Sequence, residues 1–320
     1  MLSEGTHFAD SGIHLGIGDD CALVHMKPDE EMAITSDMLV EGRHFFPQAN
    51  PQWLGHKALA VNLSDLAAMG AKPIGFTLAI ALPSPDAQWL ESFSAGLFAI
   101  ARTYGCALIG GDTTAGPLTI CITAFGSIPK GKAIRRSGAK PGDAIWVSGT
   151  VGDARLALAA LRHELSIPES DLKDIQARIH QPDPRIALGQ KLQGVASAAL
   201  DVSDGLLGDL QHILELSHVD AEIQLDQLPK SPVLLKQGKG IQHQFAASGG
   251  DDYELCFTAP QDHSERIYAI GQDLSLQLTR IGTIQAAQQS KPSIRLIAND
   301  GSLLTKDQTA PLLKSFDHFA

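Results

Sequence analysis

Basic residues are scarce in this 320-residue chain: 25 lysines and arginines stand against 36 aspartates and glutamates, a formal charge of −11. With no basic surplus to displace counterions from a phosphate backbone, non-specific nucleic-acid binding is excluded. Cysteine is sparse as well. Cys21, Cys106, Cys121 and Cys256 lie far apart and no Cys-x-x-Cys occurs, which argues against a zinc site or a disulfide framework and for reduced thiols in a cytoplasmic protein. Cys21, inside an apolar run, reads as a buried structural thiol. The N-terminus lacks the charged-then-apolar pattern of a signal peptide, and no apolar run approaches bilayer length, so no membrane partner is expected. Several catalytic signatures are missing too: no Gly-x-x-x-x-Gly-Lys-Ser/Thr, no dinucleotide fingerprint, no protein-kinase loop, no Gly-x-Ser-x-Gly and no His-Glu-x-x-His. A P-loop, a nucleophile elbow and a zincin site are thereby excluded.

What is present suits a sizeable folded enzyme. Hydrophobic residues make up 44% and charged residues 19%, enough for a substantial core, and the length predicts two domains. Strand-like and helical runs alternate in the first half: strands over 32–40, 74–82, 106–109 and 118–128, helices over 52–69 and 86–104. The basic, glycine-rich stretch 130–143 (KGKAIRRSGAKPGD) reads as a linker. Beyond it the pattern is mixed: a strand from 145, helices near 153–164, 171–180, 204–217 and 264–271, and strands near 254–258, 276–284 and 293–297.

The recurring chemical feature is aspartate beside glycine, serine or threonine at the ends of apolar runs. It occurs at Gly18-Asp19-Asp20, Thr35-Ser36-Asp37, Ser64-Asp65, Gly110-Gly111-Asp112, Asp201-Val202-Ser203-Asp204 and Gly249-Gly250-Asp251-Asp252. One such aspartate is commonly a turn or helix-cap residue, and Asp204, at a helix start, fits a cap well. Six in one chain point instead to hard-cation chemistry, because Mg²⁺ takes oxygen ligands and usually binds through one or two carboxylates plus phosphate. Asp65 lies on the seam Leu54, Ala58, Val61, Asp65, Ala68, whose spacings of four and three mark a core-facing helix stripe. A buried carboxylate there needs a cation or several donors, the competing reading being a seam end open to water beside Met69-Gly70. Period-two alternation puts Thr35 and Asp37 on one strand face, within reach of one metal–phosphate cluster, with an ordinary solvated face as the competing reading. Among the few cations, Arg135 and Arg136 could fork onto phosphate oxygens, and Lys57 lies two turns before Asp65.

In this order and with these gaps, GIGDDCALV, TSDMLVEGRHF, KALAVNLSDLAAMGA, LIGGDTT, RSGAKPGD, DVSDGL and SGGDDYELCFT closely resemble the bacterial thiamine-monophosphate kinases. These belong to the ATP-binding superfamily of aminoimidazole ribonucleotide synthetase and selenophosphate synthetase. The resemblance implies an α/β and α+β protein of two domains. Residues 1–137 would be a mixed-sheet α/β domain that binds ATP and Mg²⁺ and dimerises through its sheet. Residues 138–320 would be an α+β domain completing the active site. It further implies Mg²⁺-dependent transfer of the ATP γ-phosphoryl group to thiamine monophosphate by a homodimer, with several ions and no general base.

By motif, the implied Mg²⁺ ligands are Asp20, Thr35, Ser36, Asp37, Asp65, Asp112, Asp201 and Asp204. The implied ATP contacts are Gly111, Asp112, Arg136 and Ser203, and the implied substrate contacts are His44, Asp251 and Phe316. Asp251 stands where the family usually has glutamate, one methylene longer. The family also usually carries a further helical segment ahead of the GIGDD strand, where this sequence has only residues 1–14; that difference leaves a start upstream open. Two other readings stay open at this point: another ATP-dependent synthetase of the superfamily, and a non-catalytic Mg²⁺–nucleotide binding module.

Overall fold

The computed structural model describes residues 12–314, and the chain divides into two compact units, Met1–Ala133 and Ile134–Ala320. In the first unit the elements are β1 (Ile13–Leu15), β2 (Leu23–Val24), β3 (Glu30–Val40), α1 (Pro51–Ala68), β4 (Lys72–Leu82), α2 (Ala87–Tyr104), β5 (Ala107–Ala115) and β6 (Thr119–Pro129). A mixed four-stranded sheet has the order β3-β6-β4-β5, with β4 and β5 parallel and the other pairs antiparallel. The parallel pair follows from the β4–α2–β5 crossover, which returns the chain to the same sheet edge.

Helix starts and stops obey local chemistry. Asn50 caps α1 by accepting the Gln52 and Trp53 N–H groups, ahead of Pro51 in the first turn, and Asp86 caps α2 in the same manner. Gly105, left-handed at φ 62°, ends α2. Helix α1 is buried nearly all round because it packs on β3, β4 and β6 and also on α2. The seam residues Leu54, Ala58, Val61 and Ala68 are all buried. The α1–α2 crossing is set by two glycines: a Cβ on Gly96 would meet the Gln52 carbonyl oxygen at 1.8 Å, and one on Gly55 the Phe93 carbonyl oxygen at 2.0 Å. Gly96→Ala must therefore push the helices apart, and we expect an unfolding free energy lower by roughly 1–3 kcal/mol. Gly240→Ala should do the opposite. A Cβ there meets nothing within 4 Å and the position is helical, so a gain of up to about 1 kcal/mol is expected. Urea unfolding of the two variants checks the sign of each.

The second unit contains β7 (Ala144–Ser148), α3 (Asp153–Leu161), α4 (Glu169–His180), α5 (Ile186–Leu192), β8 (Ala198–Asp201), α6 (Leu206–Ser217), β9 (Val219–Gln224), α7 (Pro232–Leu235), α8 (Lys239–Ser248), β10 (Leu255–Ala259), α9 (Ser264–Asp273), β11 (Leu278–Ala286), β12 (Ile294–Ile297) and α10 (Lys306–Thr309). Its six-stranded sheet runs β12-β9-β11-β7-β10-β8, antiparallel except for the β12–β9 edge. Strands β7, β8 and β10 are buried along their whole length, as expected for a sheet covered on both faces. On one face Ile145, Val147, Leu200 and Cys256 join the helical core around Leu206, Leu210 and Ile213. On the other, Trp146 stacks on Phe257 and meets Tyr268 of α9 edge-on. No helix of the described residues is long and apolar enough to cross a membrane.

The unit boundary falls inside the basic stretch 130–143. In the second unit strands β8 and β9 and helices α5, α7, α8 and α10 are absent from the sequence expectation. The reason is plain for β8, whose Ala-Ala-Leu-Asp offers neither β-branched residues nor alternation, so pairing with β10 rather than propensity makes it a strand.

Candidate functional site

In the first unit, strand alternation turns Thr35 and Asp37 toward α1. The Thr35 hydroxyl donates to the Asp65 carboxylate, and the Asp37 backbone N–H donates to Asn62 Oδ1 at 3.1 Å. One face of β3 is thus joined to one turn of α1 by polar groups, and two carboxylates come together there. Burial, and secondarily the charge of Asp65, pushes the Asp37 carboxyl up to about 7. Ser36 points to the opposite side of β3. Its hydroxyl lies 3.0 Å from Thr123 Oγ1 and donates to the Ile122 carbonyl of β6. Lys57 is buried at 4% exposure.

Gly111 and Asp112 lie in β5, at the far end of the same sheet from β3. A Cβ on Gly111 would fall 1.9 Å from the Leu78 carbonyl oxygen, and its φ of 147° also requires glycine. Asp112 is exposed, its Oδ1 accepting the Thr113 N–H at 2.8 Å. Gly110, Gly111, Asp112 and Thr113 form one wall of a cleft of about 430 Å³, and the 18–21 turn with Asp20 forms the other. Cys21 lines this cleft and is exposed. The expectation of a buried thiol is corrected here: the run GIGDDCALV makes a loop around residues 16–22 and only a two-residue strand, Leu23–Val24. His44 sits in the turn after β3, where its Nδ1 accepts the Val40 N–H at 2.9 Å.

In the second unit, Asp201 ends β8 and is buried, and Ser203 and Asp204 form the turn into α6. Asp204 does not cap that helix. The N-cap is Gly205, with no side-chain cap bond, and the first-turn acid is Asp209. The 250–253 loop lies directly on this turn, for the N–H groups of Asp251 and Tyr253 donate to the Ser203 and Val202 carbonyls, each at 2.8 Å. Both donors hold left-handed backbone, φ 66° and 51°. Asp201, Ser203, Asp204 and Asp251 are therefore neighbours. Arg136 is not beside them along the chain's fold: its carbonyl accepts from Ser217 at the other end of α6, roughly 18 Å along a 12-residue helix. Phe316 lies outside the described residues.

Beneath the loops lies a charged cluster that the sequence reading missed. Glu254, fully buried, accepts from Arg178 at 2.7 Å, from Arg185 Nε at 2.7 Å and Nη2 at 2.5 Å, and from the Ser148 hydroxyl at 2.6 Å. Its neighbour Asp252 accepts the Gly152 N–H at 2.8 Å, and burial holds its carboxyl well above the ordinary carboxylate range despite Arg178. Two arginines bracketing Gln-Pro-Asp-Pro in a chain poor in cations were the available signal. Asp209, pushed up to about 7 mainly by burial, was likewise missed.

Among the described residues no three or more His, Cys, Asp or Glu side chains gather closely enough to hold a metal unaided. The Thr35, Asp37 and Asp65 donors are all oxygens, and the two carboxylates repel. That set suits a hard divalent cation that brings phosphate oxygens of its own.

Comparison with known proteins agrees in family and fold. Residues 18–128 match the family model of the AIR synthase related protein, N-terminal domain, and residues 140–295 that of its C-terminal domain. The thiamine-monophosphate kinase of Salmonella typhimurium is 47% identical over 311 residues, 96% of this chain and 93% of the relative. The crystal structure of thiamine-monophosphate kinase from Stenotrophomonas maltophilia K279a is 44% identical, covers 92% of each chain and superposes with a TM-score of 0.84. A structure of AaThiL complexed with AMPPCP and TMP is 31% identical, covers 90% of this chain and 89% of that one, and has a TM-score of 0.75.

Proposed function

Because the chain belongs to the thiamine-monophosphate kinase family and is an enzyme of that kind, we propose that it passes the γ-phosphoryl group of ATP directly, in line and with Mg²⁺ to thiamine monophosphate, yielding thiamine diphosphate and ADP. The observation that carries the metal dependence is the Thr35–Asp37–Asp65 cluster, in which burial and then the neighbouring Asp65 charge raise the cost of ionising Asp37, a cost that a cation would offset. The AaThiL complex with AMPPCP and TMP supports both co-substrates.

The acceptor is a phosphate monoester with a second pKa near about 6, so its oxygen is already largely anionic at neutral pH and no side chain need remove a proton. The difficulty is the approach of two polyanions. Bound Mg²⁺ supplies neutralisation of both partners and of the transferring group. On this reading Asp20, Thr35, Ser36, Asp37, Asp65 and Asp112 in the first unit, and Asp201 and Asp204 in the second, would supply oxygen ligands to such ions. Gly111, Asp112 and Ser203 would meet the ATP phosphates, and His44, Asp251 and Phe316 thiamine monophosphate; Arg136, whose backbone lies at the other end of α6 from Ser203, would reach the phosphates only through its long side chain. The enzyme works in the cytoplasm as a homodimer. Support for the dimer comes from the outward face of β3, where Met32, Ile34 and Met38 are 38%, 62% and 55% exposed, an apolar row that a second copy would cover.

Incubation with ATP, Mg²⁺ and thiamine monophosphate should give thiamine diphosphate and ADP in equal amounts, no AMP, and nothing in EDTA. Release of free phosphate without the diphosphate ester would point to a synthetase instead. A pH dependence follows from Asp37. Its folded-state value of about 7 lies above the ordinary 3.8, so between these values the native state holds a proton that the unfolded chain has lost. Stability of the metal-free protein should fall as pH rises through that window, with the full penalty present above about 7. Cation binding relieves the repulsion, so the rise in Tm caused by Mg²⁺–ATP should be larger at pH 8 than at pH 6. Equal increments at both pH values would detach Asp37 from the metal site.

A further inference from the structure

The geometry points to Asp209 as the positioning residue that shapes both loops of the second unit, acting through the backbone rather than touching substrate. Its carboxylate is buried at 5% exposure in the first turn of α6. One oxygen, Oδ2, accepts three consecutive backbone N–H groups: Ser203 at 3.0 Å, Asp204 at 3.0 Å and Gly205 at 3.1 Å. Successive N–H groups converging in this way form a concavity that ordinarily binds an external anion. Here the chain fills it with its own carboxylate.

Two consequences follow. The three N–H groups are already committed, so a phosphate at this turn would have to be met by the Ser203 side chain and not by the turn's backbone. And the carbonyls of the same turn are fixed, so the Val202 and Ser203 oxygens stand where they accept the N–H groups of Tyr253 and Asp251. The left-handed backbone at Asp251 and Tyr253 is held by that pairing, since the strain of such conformations persists only where surrounding structure compels it. Close packing removes the remaining freedom: a Cβ on Gly205 would meet the Ser248 backbone at 2.9 Å, and one on Gly250 the Ser203 carbonyl oxygen at 2.6 Å. One carboxylate thereby sets the turn that carries Ser203 and Asp204, and that turn sets the loop that carries Asp251.

The kinetic part of the test rests on the kinase reading above; the exchange part does not. In the full-length protein, amide hydrogen exchange is measured at residues 203–205, 251 and 253, and kcat and KM are measured per active enzyme for Asp209→Ala and Asp209→Asn. Asp209→Ala should exchange roughly tenfold or more faster at all five amides. Its kcat at saturating substrates should fall roughly 10–100-fold, the scale of a misplaced reacting group. Asp209→Asn keeps a carbonyl acceptor but loses the charge, so it should recover part of both losses and stay measurably below the parent in each. A folded Asp209→Ala protein with lower Tm but unchanged kcat, or with exchange within about twofold of the parent, would overturn the assignment. If Asp209→Ala does not fold, Asp209→Asn decides: a measurable loss of protection together with lower kcat supports it, and parental values in both overturn it. A parent enzyme that makes no thiamine diphosphate would sink the kinase reading while leaving the exchange result to judge Asp209.

Discussion

Asp65→Asn is expected to lower kcat by about 10²–10³-fold or more, the scale of removing one preorganised charge-stabilising group, while the metal-free protein melts no lower than the parent. The two halves of this expectation have one cause. Asparagine keeps an oxygen that can accept the Thr35 hydroxyl, so the link between β3 and α1 survives. What it removes is the charge that, after burial, pushes Asp37 upward. Without metal that charge is a liability, and its loss relieves repulsion above pH 7. With metal it is a ligand, and its loss cannot be made good. Asp112→Asn should behave alike in kcat, but with no gain in stability, because Asp112 is exposed and water already screens its charge. A clear fall in Tm for Asp65→Asn, with activity in proportion to the folded fraction, would make Asp65 a structural residue.

Glu254→Gln is expected to cost about 3–5 kcal/mol of unfolding free energy, as when one partner of a buried ion pair is removed. Glu254 has no exposed surface, and both its oxygens are engaged by Arg178, Arg185 and Ser148. The arginines are themselves only 21% and 14% exposed, so a neutral amide leaves two guanidinium groups with little water to turn to. Arg178→Met should be milder, because Arg185 continues to grip the carboxylate through two nitrogens. Denaturant unfolding of the two variants gives the ranking. A cost below about 1 kcal/mol for Glu254→Gln would mean that water enters the cluster freely and the pairing contributes little.

Glu254 and Asp65 also mark what the sequence did and did not disclose. Asp65 was legible because a helix repeats every 3.6 residues, so a carboxylate on the Leu54–Ala68 seam stands out at once. Thr35 and Asp37 were legible by the same logic at period two, and that period already sets Ser36 on the opposite face, where it meets β6. The first unit's alternating strands and helices could be read because they are long and regularly patterned; which strands pair, and in what direction, could not. Arg178 and Glu254, in contrast, are 76 positions apart, and nothing in either local pattern announces that β7, β10 and α4 bring them together. Asp209 looked like any polar residue in an amphipathic helix; its role depends on the turn before it folding back. Cys21 differs for the reverse reason: its run looks apolar enough for a strand, but the two glycines and two aspartates ahead of it make a loop.

The proposed reaction moves the γ-phosphoryl group from ATP to thiamine monophosphate in one step. Rapid-quench single turnover with γ-labelled ATP and excess thiamine monophosphate tests it most directly. Label should appear in thiamine diphosphate at the rate ADP appears, with none on the protein and none as free phosphate. Label that passes first through a protein-bound species, or that ends as inorganic phosphate while thiamine monophosphate is untouched, would contradict direct transfer.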